Sequence, residues 1–332
     1  MLLGFDIGGT KCAVIVGREI HGGEMTIVDK LVLKTDKPAF EMITLLFQQA
    51  EEILAANKLS MDDIDGIGIS CGGPLSSKKG LILSPPNLPG WDSIPIVRLA
   101  EEKFGKPVLL QNDANAGAVA EWKYGAGRGY SNLIFLTFGT GMGAGLILNG
   151  ALYSGTTDLA GEVGHLRLSD MGPVGFGKAG SFEGWCSGGG IAQLAQIKVR
   201  QKLQMGEKVS FCDSLDDLPS LTAKIVAEAA AAGDDTAIEI YNTCGTYLGK
   251  GLALLIDILN PELIILGSIY GRAGSLLEES MQAELQKESI LASYKACTIV
   301  PSKLAENIGD IAALSLAAQA YAVKKSDVMV RG

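Results

Sequence analysis

The stretch LLGFDIGGTKCAVIV, Leu2 to Val16, sets two apolar runs on either side of a turn that holds an acid, two glycines, a threonine and a lysine. The same pattern returns as LIFLTFGTGMGAGLIL, Leu133 to Leu148. Both read as strand, Gly-Thr-rich turn, strand. Two copies, each opening one half of the chain, read as a weak internal duplication. That restricts the fold to two similar domains, and 332 residues of which 47% are hydrophobic supply two cores.

Strands and helices alternate around these units. Leu2–Ile7, Cys12–Val16, Thr26–Leu33, Ile64–Ser70 and Val108–Gln111 read as strands. Phe40–Asn57 carries Ile43, Leu46, Phe47, Ala50, Ile53 and Leu54 at helical spacing, and Pro95–Phe104 and Asp113–Tyr124 follow as helices. In the second half, strands at Leu133–Thr137, Leu146–Leu148 and Leu263–Leu266 alternate with helices at Gly190–Leu203, Leu221–Ala232, Asp234–Leu259 and Ile308–Val323. FGTGMGAG reads as a turn throughout, and Gly155–Gly190 as a long irregular loop of the kind that carries function. The prediction is an α/β protein of two domains with a cleft between them.

Composition narrows the function classes. A net charge of −9 with no basic run lacks the electrostatic footprint of a nucleic-acid or membrane binder. The six cysteines form no C-x-x-C pair and no disulfide framework, which suits a reducing compartment. The start MLLGFDIGG lacks the charged and apolar regions of a signal peptide. No stretch reaches the ~18 uncharged apolar residues of a membrane span. The expectation is a soluble, cytoplasmic protein.

In Asp6-Ile-Gly-Gly-Thr-Lys11 the glycines let the backbone approach a ligand closely, and successive N–H groups form an anion-binding nest. Thr10 adds a hydroxyl and Lys11 a cation. Asp6 suits a hydrated Mg²⁺, which keeps its waters and takes few carboxylates. A plain Gly-Gly hairpin has the same local signature. The second turn, Phe138 to Gly145, shifts the balance, because two such turns would hold a polyphosphate from both sides. NPELIILGS, Asn260 to Ser268, ends a buried strand on a glycine that would meet a nucleotide's base or ribose. FGTGMGAG does not complete G-x-G-x-x-G, since the last required glycine falls on Ala144 or Leu146, and the P-loop is incomplete, since Ala179 stands where a hydroxyl should follow Lys178.

LLQNDANAGAVAE, Leu109 to Glu121, places Asn112 and Asp113 between a short strand and a helix. Either is an ordinary N-cap. In the functional reading Asp113 is a general base that takes a hydroxyl proton as a phosphoryl group arrives, and Asn112 hydrogen-bonds the substrate. The residues by themselves favour capping. Of the two histidines, His21 lies in an EIHGG turn and is given no role. His165 follows Glu162 by three residues in LAGEVGHLRL, with Glu183 and Trp185 further along the loop. Two acids, a histidine and an aromatic wall describe a polyol pocket; a solvated loop is the alternative.

Taken in order and spacing, DIGGTK, PNLPGW, NDANAGAVAE, FGTGMGAGLILNG, GEVGH and NPELIILGS resemble the ROK family of bacterial sugar kinases and repressors over nearly the whole chain. The resemblance implies two duplicated actin-like ATPase (ribonuclease H-like) domains, with ATP between two glycine turns. Residues 1–118 and 119–308 would be the domains, with a last helix at about 309–325 packing back on the first. It implies ATP-phosphate contacts from Gly9, Thr10 and Lys11, Mg²⁺ near Asp6, a second phosphate loop at Thr140 and Gly141, and an adenosine site at Gly267. Asp113 becomes the catalytic base, with Asn87, Asn112, Glu162, His165 and Glu183 on sugar hydroxyls. A homodimer is also implied.

One departure concerns zinc. Most ROK proteins follow G-H with C-x-C-G-x-x-G-C, whose three thiolates and the histidine hold a structural zinc. Counted back from FEGWCSGG, those cysteines fall on Val174, Phe176 and Ser181, none of which replaces a thiolate. The expectation is no zinc, a loop held by packing of Val174, Phe176 and Phe182, and His165 free to face the sugar. The family's repressors carry a winged helix ahead of the kinase body, and Asp6 stands too near the first residue to leave room for one, which points away from DNA binding. The reading is an ATP- and Mg²⁺-dependent kinase acting on a hexose hydroxyl, glucose O6 first, with N-acetylhexosamines, fructose and allose open. A sugar-binding sensor without turnover and an actin-like ATPase are the rivals. A phosphoryl donor other than ATP stays open.

Overall fold

The computed structural model describes the backbone of residues 1–20 and 23–331 and the side chains of residues 1–20 and 23–325. His21 lies outside the described residues. The chain divides into two compact units, one of Met1–Gly129, Gly145–Ala160 and Glu306–Gly332, the other of Tyr130–Ala144 and Gly161–Ala305.

The first sheet starts as an antiparallel meander of β1 (Leu2–Ile7), β2 (Lys11–Ile20) and β3 (Glu24–Lys34). The helix α1 (Ala39–Ala56) carries the chain back so that β4 (Gly66–Cys71) pairs with β1 in parallel, a connection that needs such a crossover. A small ribbon, β5 (Leu75–Ser76) with β6 (Leu81–Ile82), precedes α2 (Ile96–Phe104), β7 (Val108–Asn112) and α3 (Asp113–Tyr124). The sheet order is β3-β2-β1-β4-β7.

The second sheet opens with β8 (Leu133–Phe138), β9 (Met142–Leu148) and β10 (Ala151–Leu152). A hairpin of β11 (Val174–Gly175) and β12 (Lys178–Ala179) and the short α4 (Phe182–Cys186) give order to the stretch read as an irregular loop. Next come α5 (Gly188–Gln204), α6 (Ala223–Ala231), α7 (Asp235–Leu259) and β13 (Leu263–Leu266). The helices α8 (Ile269–Ala273), α9 (Glu278–Glu288) and α10 (Leu291–Ala296) lead to β14 (Thr298–Pro301), and α11 (Ile308–Arg331) ends the chain. The order β10-β9-β8-β13-β14 repeats the first sheet strand for strand, with β13 parallel to both β8 and β14. This is the duplicated α/β architecture of the actin-like ATPase fold.

The first sheet is covered on both faces, which is why β1 reads as a continuous apolar run. On one face Phe5 and Val14 pack with Met42 and Leu46 of α1 and Phe104 of α2. The rings of Phe5, Phe47 and Phe104 meet there at centroid distances of 5.8, 6.3 and 4.9 Å. On the other face Leu2, Ala13 and Ile15 meet Ala313, Leu314 and Ala317 of α11. Among the described residues no helix is long and apolar enough to cross a membrane.

The glycine-rich FGTGMGAG is a turn only at Gly139-Thr140-Gly141, because β9 already begins at Met142. Gly145 is a packing residue. A Cβ there would stand 2.5 Å from the Cβ of Ala118 and would also collide with the carbonyl of Ala114, so its absence lets β9 lie directly on α3.

Candidate active site

The first glycine turn joins β1 to β2 and is closed by the Gly8 N–H donating to the Lys11 carbonyl at 3.1 Å. Thr35, just past β3, braces it. Its hydroxyl donates to the Gly8 carbonyl at 2.7 Å and its N–H to the Thr10 carbonyl at 3.1 Å. Thr10 and Lys11 are exposed at the tip. The Cβ and carbonyl of Asn87 lie against Gly9, so two of the expected groups are brought together.

Asp6 sits at the end of β1 with its carboxylate against Gly309 at the start of α11. Burial is the main reason its carboxyl is pushed up, from 3.8 to about 6, and the charges of Asp113 and Asp310 add to it. Lys30 opposes them, as does a hydrogen bond from Ser70. The Lys30 ammonium also pairs with the buried Asp310 carboxylate at 2.7 Å.

At the head of α3 the structure separates two roles that the sequence left joined. Asn112 is buried and is the N-cap: its Oδ1 accepts the Asn115 N–H at 2.7 Å. Asp113 is the first helical residue, with an exposed side chain whose Oδ1 accepts the Ala114 N–H at 2.9 Å. Surrounding protein strips enough water from this carboxyl to raise its pKa, against the backbone N–H groups that lower it.

In the second unit the Gly139 N–H donates to the Gly141 carbonyl at 3.1 Å and leaves Thr140 exposed at the tip. The N-terminus of α5 abuts this turn, with the Gly188 N–H on the Gly139 carbonyl at 2.8 Å. The positive end of a 17-residue helix therefore lies beside the turn, an arrangement that favours anions. Glu183 accepts the Met142 N–H through Oε2 at 3.0 Å, and its Cβ lies beside Gly164. Glu183, the second turn and the GEVGH segment thus converge. Glu162 is exposed, and its carbonyl accepts the His165 N–H at 3.2 Å. Gly267 is buried at the end of β13, followed by Ser268 with φ of +43°, a rare backbone state for a residue with a side chain.

Two expectations about the loop are corrected. Trp185 is buried, stacked on Tyr247 at 3.7 Å with its indole N–H on the Ser169 hydroxyl at 2.9 Å, so it packs the loop and offers no open wall to a sugar. Phe182 is buried, but Val174 and Phe176 are exposed and contribute no core. Ser181 is buried and caps α4 by accepting the Gly184 N–H at 3.1 Å. Two apolar side chains and a capping hydroxyl do not fit a thiolate-bound zinc.

Asp310, Lys30 and Thr35 were not foreseen. Asp310 had a signal, the Gly-Asp pair that opens the last helix in NIGDIAALSLA. Lys30 had none, since its partner lies 280 positions away.

The ROK family model matches residues 2–320. A glucokinase of Halalkalibacterium halodurans is 34% identical over 281 residues, 83% of this chain and 82% of that protein. A xylose repressor of Caldicellulosiruptor bescii is 28% identical over 304 residues, 91% of this chain and 74% of the repressor. The crystal structure of a ROK family glucokinase from Streptomyces griseus in complex with glucose and AMPPNP matches with a TM-score of 0.72 at 28% identity, covering 96% of this chain and 99% of that one. The order of the glycine and acidic motifs, two sheets of one strand order and a family match along nearly the full length agree, and the chain belongs to the ROK family.

Proposed function

We propose that this chain is a sugar kinase that moves the γ-phosphoryl group of ATP to a hexose hydroxyl, O6 of glucose first, with Asp113 as general base. The observation that carries the reading is at the head of α3. Asn112 makes the capping hydrogen bond, which leaves the Asp113 carboxylate able to accept a proton. A carboxylate raised by desolvation is a better base than an ordinary one. The likeness to the H. halodurans glucokinase and to the S. griseus complex with glucose and AMPPNP supports the choice of sugar and donor.

In this reading Asp113 takes the hydroxyl proton as the sugar oxygen attacks the γ-phosphorus in line, and ADP leaves. Gly9, Thr10 and Lys11 bind phosphate oxygens, as do Thr140, Gly141 and the N-terminus of α5. Gly267 lies toward the adenosine. Asn87, Asn112, Glu162, His165 and Glu183 bind sugar hydroxyls, Glu183 through Oε1 because Oε2 already accepts the Met142 N–H. Among the described residues no three His, Cys, Asp or Glu side chains converge to hold a metal by themselves. Asp6 would therefore meet the Mg²⁺ of MgATP through the ion's water shell, where the ion neutralises phosphate charge.

A second reading is a sugar-responsive sensor without turnover, favoured by the likeness to the C. bescii xylose repressor. ADP release from MgATP separates the two, measured with glucose, fructose, allose, N-acetylglucosamine and N-acetylmannosamine beside a no-sugar control. A rise with one sugar identifies the kinase and its substrate together. A flat panel with sugar binding in the calorimeter favours the sensor, and sugar-independent hydrolysis an actin-like ATPase.

A further inference from the structure

Phe176 occupies a position that its chemistry does not suit. The β11–β12 hairpin pairs Val174 with Ala179 and Gly175 with Lys178, which leaves Phe176 and Gly177 as a two-residue loop. Both have positive φ, +43° and +73°, the geometry in which Asn-Gly is preferred. A bulky aromatic with positive φ is a backbone outlier whose strain must be offset elsewhere. Burial does not offset it, since the side chain is 65% exposed. Phe176 does touch His165, edge to face, with ring centroids 4.9 Å apart and planes at 81°.

The same hairpin reaches His165 a second time. Lys178 Nζ donates to the His165 carbonyl at 2.7 Å, a charge-assisted bond of the stronger kind. The base of the hairpin is anchored on α5, where Gln193 accepts the Val174 N–H at 2.9 Å and donates to the Val174 carbonyl at 2.8 Å. An anchored ribbon thus presents one residue to the imidazole ring and another to its backbone.

We propose that the Val174–Ala179 hairpin positions His165 for its ligand. Phe176 sets the ring and Lys178 sets the main chain, in the part of the fold where the family resemblance implied a zinc that these residues do not fit. Phe176 and Lys178 are positioning residues, and that the ligand is a hexose hydroxyl rests on the sugar-kinase reading.

Because the chain has two histidines, ¹³C-histidine labelling gives two ring signals, and a His21→Gln variant assigns the one from His165. Phe176→Asn places the preferred residue in the turn. Its melting temperature should rise by a few degrees while the His165 signal loses its ring-current shift and the KM for glucose rises at least fivefold, the KM for ATP staying within twofold. Lys178→Met should raise the glucose KM similarly, and Lys178→Arg should restore most of it. A hairpin that only stabilises its loop would raise the glucose KM only in variants whose melting temperature falls. The proposal is overturned if Phe176→Asn and Lys178→Met leave both the His165 signal and the glucose KM unchanged, or if mass spectrometry finds stoichiometric zinc in the unmodified protein. If no sugar is phosphorylated, the sugar-kinase reading fails, while the His165 signal still decides the positioning.

Discussion

Asn112 accepts the backbone N–H of Asn115 at 2.7 Å and so caps α3 in place of its neighbour Asp113. Two adjacent residues that are interchangeable as caps have been given different work. Removing the cap and removing the proposed base should therefore have separable effects. Asn112→Ala should cost about 1 kcal/mol of stability in a denaturant titration. Asp113→Asn should leave the melting temperature near its original value and lower kcat by about 10³-fold or more, as expected when a positioned general base is lost. Near-full activity in Asp113→Asn would remove the base assignment.

Asp6 links stability to pH. Its carboxyl titrates near 3.8 unfolded and at about 6 folded, so between these values the folded chain holds the extra proton. Stability should therefore fall as pH rises from about 4 to about 6, with a penalty of at most about 3 kcal/mol fully present above that range. Asp6→Asn removes the ionisable group, so it should melt higher than the unmodified protein at pH 8 and match it more closely at pH 4. Melting curves of both proteins across this range check the sign, and a lower melting point for Asp6→Asn at pH 8 would contradict it.

The raised carboxyls of Asp6 and Asp113 also bear on catalysis. If Asp113 must be ionised to act, the acid limb of kcat/KM should lie above the ordinary carboxylate range, because desolvation by the surrounding protein favours the protonated carboxyl. Lys30→Met withdraws the cation that opposes the rise at Asp6, so it should move the limb further up in pH if Asp6 must also be ionised. It also strips the buried Asp310 of its ammonium partner, at a stability cost of about 1–3 kcal/mol, below that of a fully buried pair because Lys30 is partly solvated. A limb unmoved in Lys30→Met would show that Asp6 does not govern it.

Thr35 makes a narrower prediction. Its hydroxyl supports the Gly8 carbonyl at 2.7 Å, while its N–H holds the Thr10 carbonyl at 3.1 Å. Thr35→Val keeps the shape and loses the donor, worth about 1 kcal/mol. The KM for ATP should rise about fivefold while the sugar KM holds, and Thr35→Ser should recover most of the loss. Equal changes in both constants would mean that the turn is not what Thr35 supports.

Gly145→Ala tests the contact between β9 and α3. The added methyl meets Ala118 and the Ala114 carbonyl, both fixed in the first turns of α3. Overpacking of this kind should cost about 1–3 kcal/mol, and Asp113 at the head of the same helix should lose activity beyond the stability effect. Unchanged melting would show that the strand can shift without penalty.

The strand–turn–strand unit, its repeat and the pairing of Asn112 with Asp113 were legible in the sequence, because each is a local pattern: periodicity, glycine spacing, and polar residues between an apolar strand and a helix. Local pattern did not reveal why a glycine is a glycine. In FGTGMGAG, Gly139 and Gly141 make a turn, whereas Gly145 makes room for α3, a neighbour whose approach only the folded chain creates. It did not place Asp310 and Lys30 beside Asp6, since the pair closes across 280 residues. Nor did it turn GPVGFGKAG into a hairpin that holds His165, where nothing in the run itself favours an aromatic at positive φ. The chain alone determined which groups are available for chemistry. The tertiary structure decided which of them are already committed, because a hydrogen bond or a close contact between distant segments exists only once packing has brought them together.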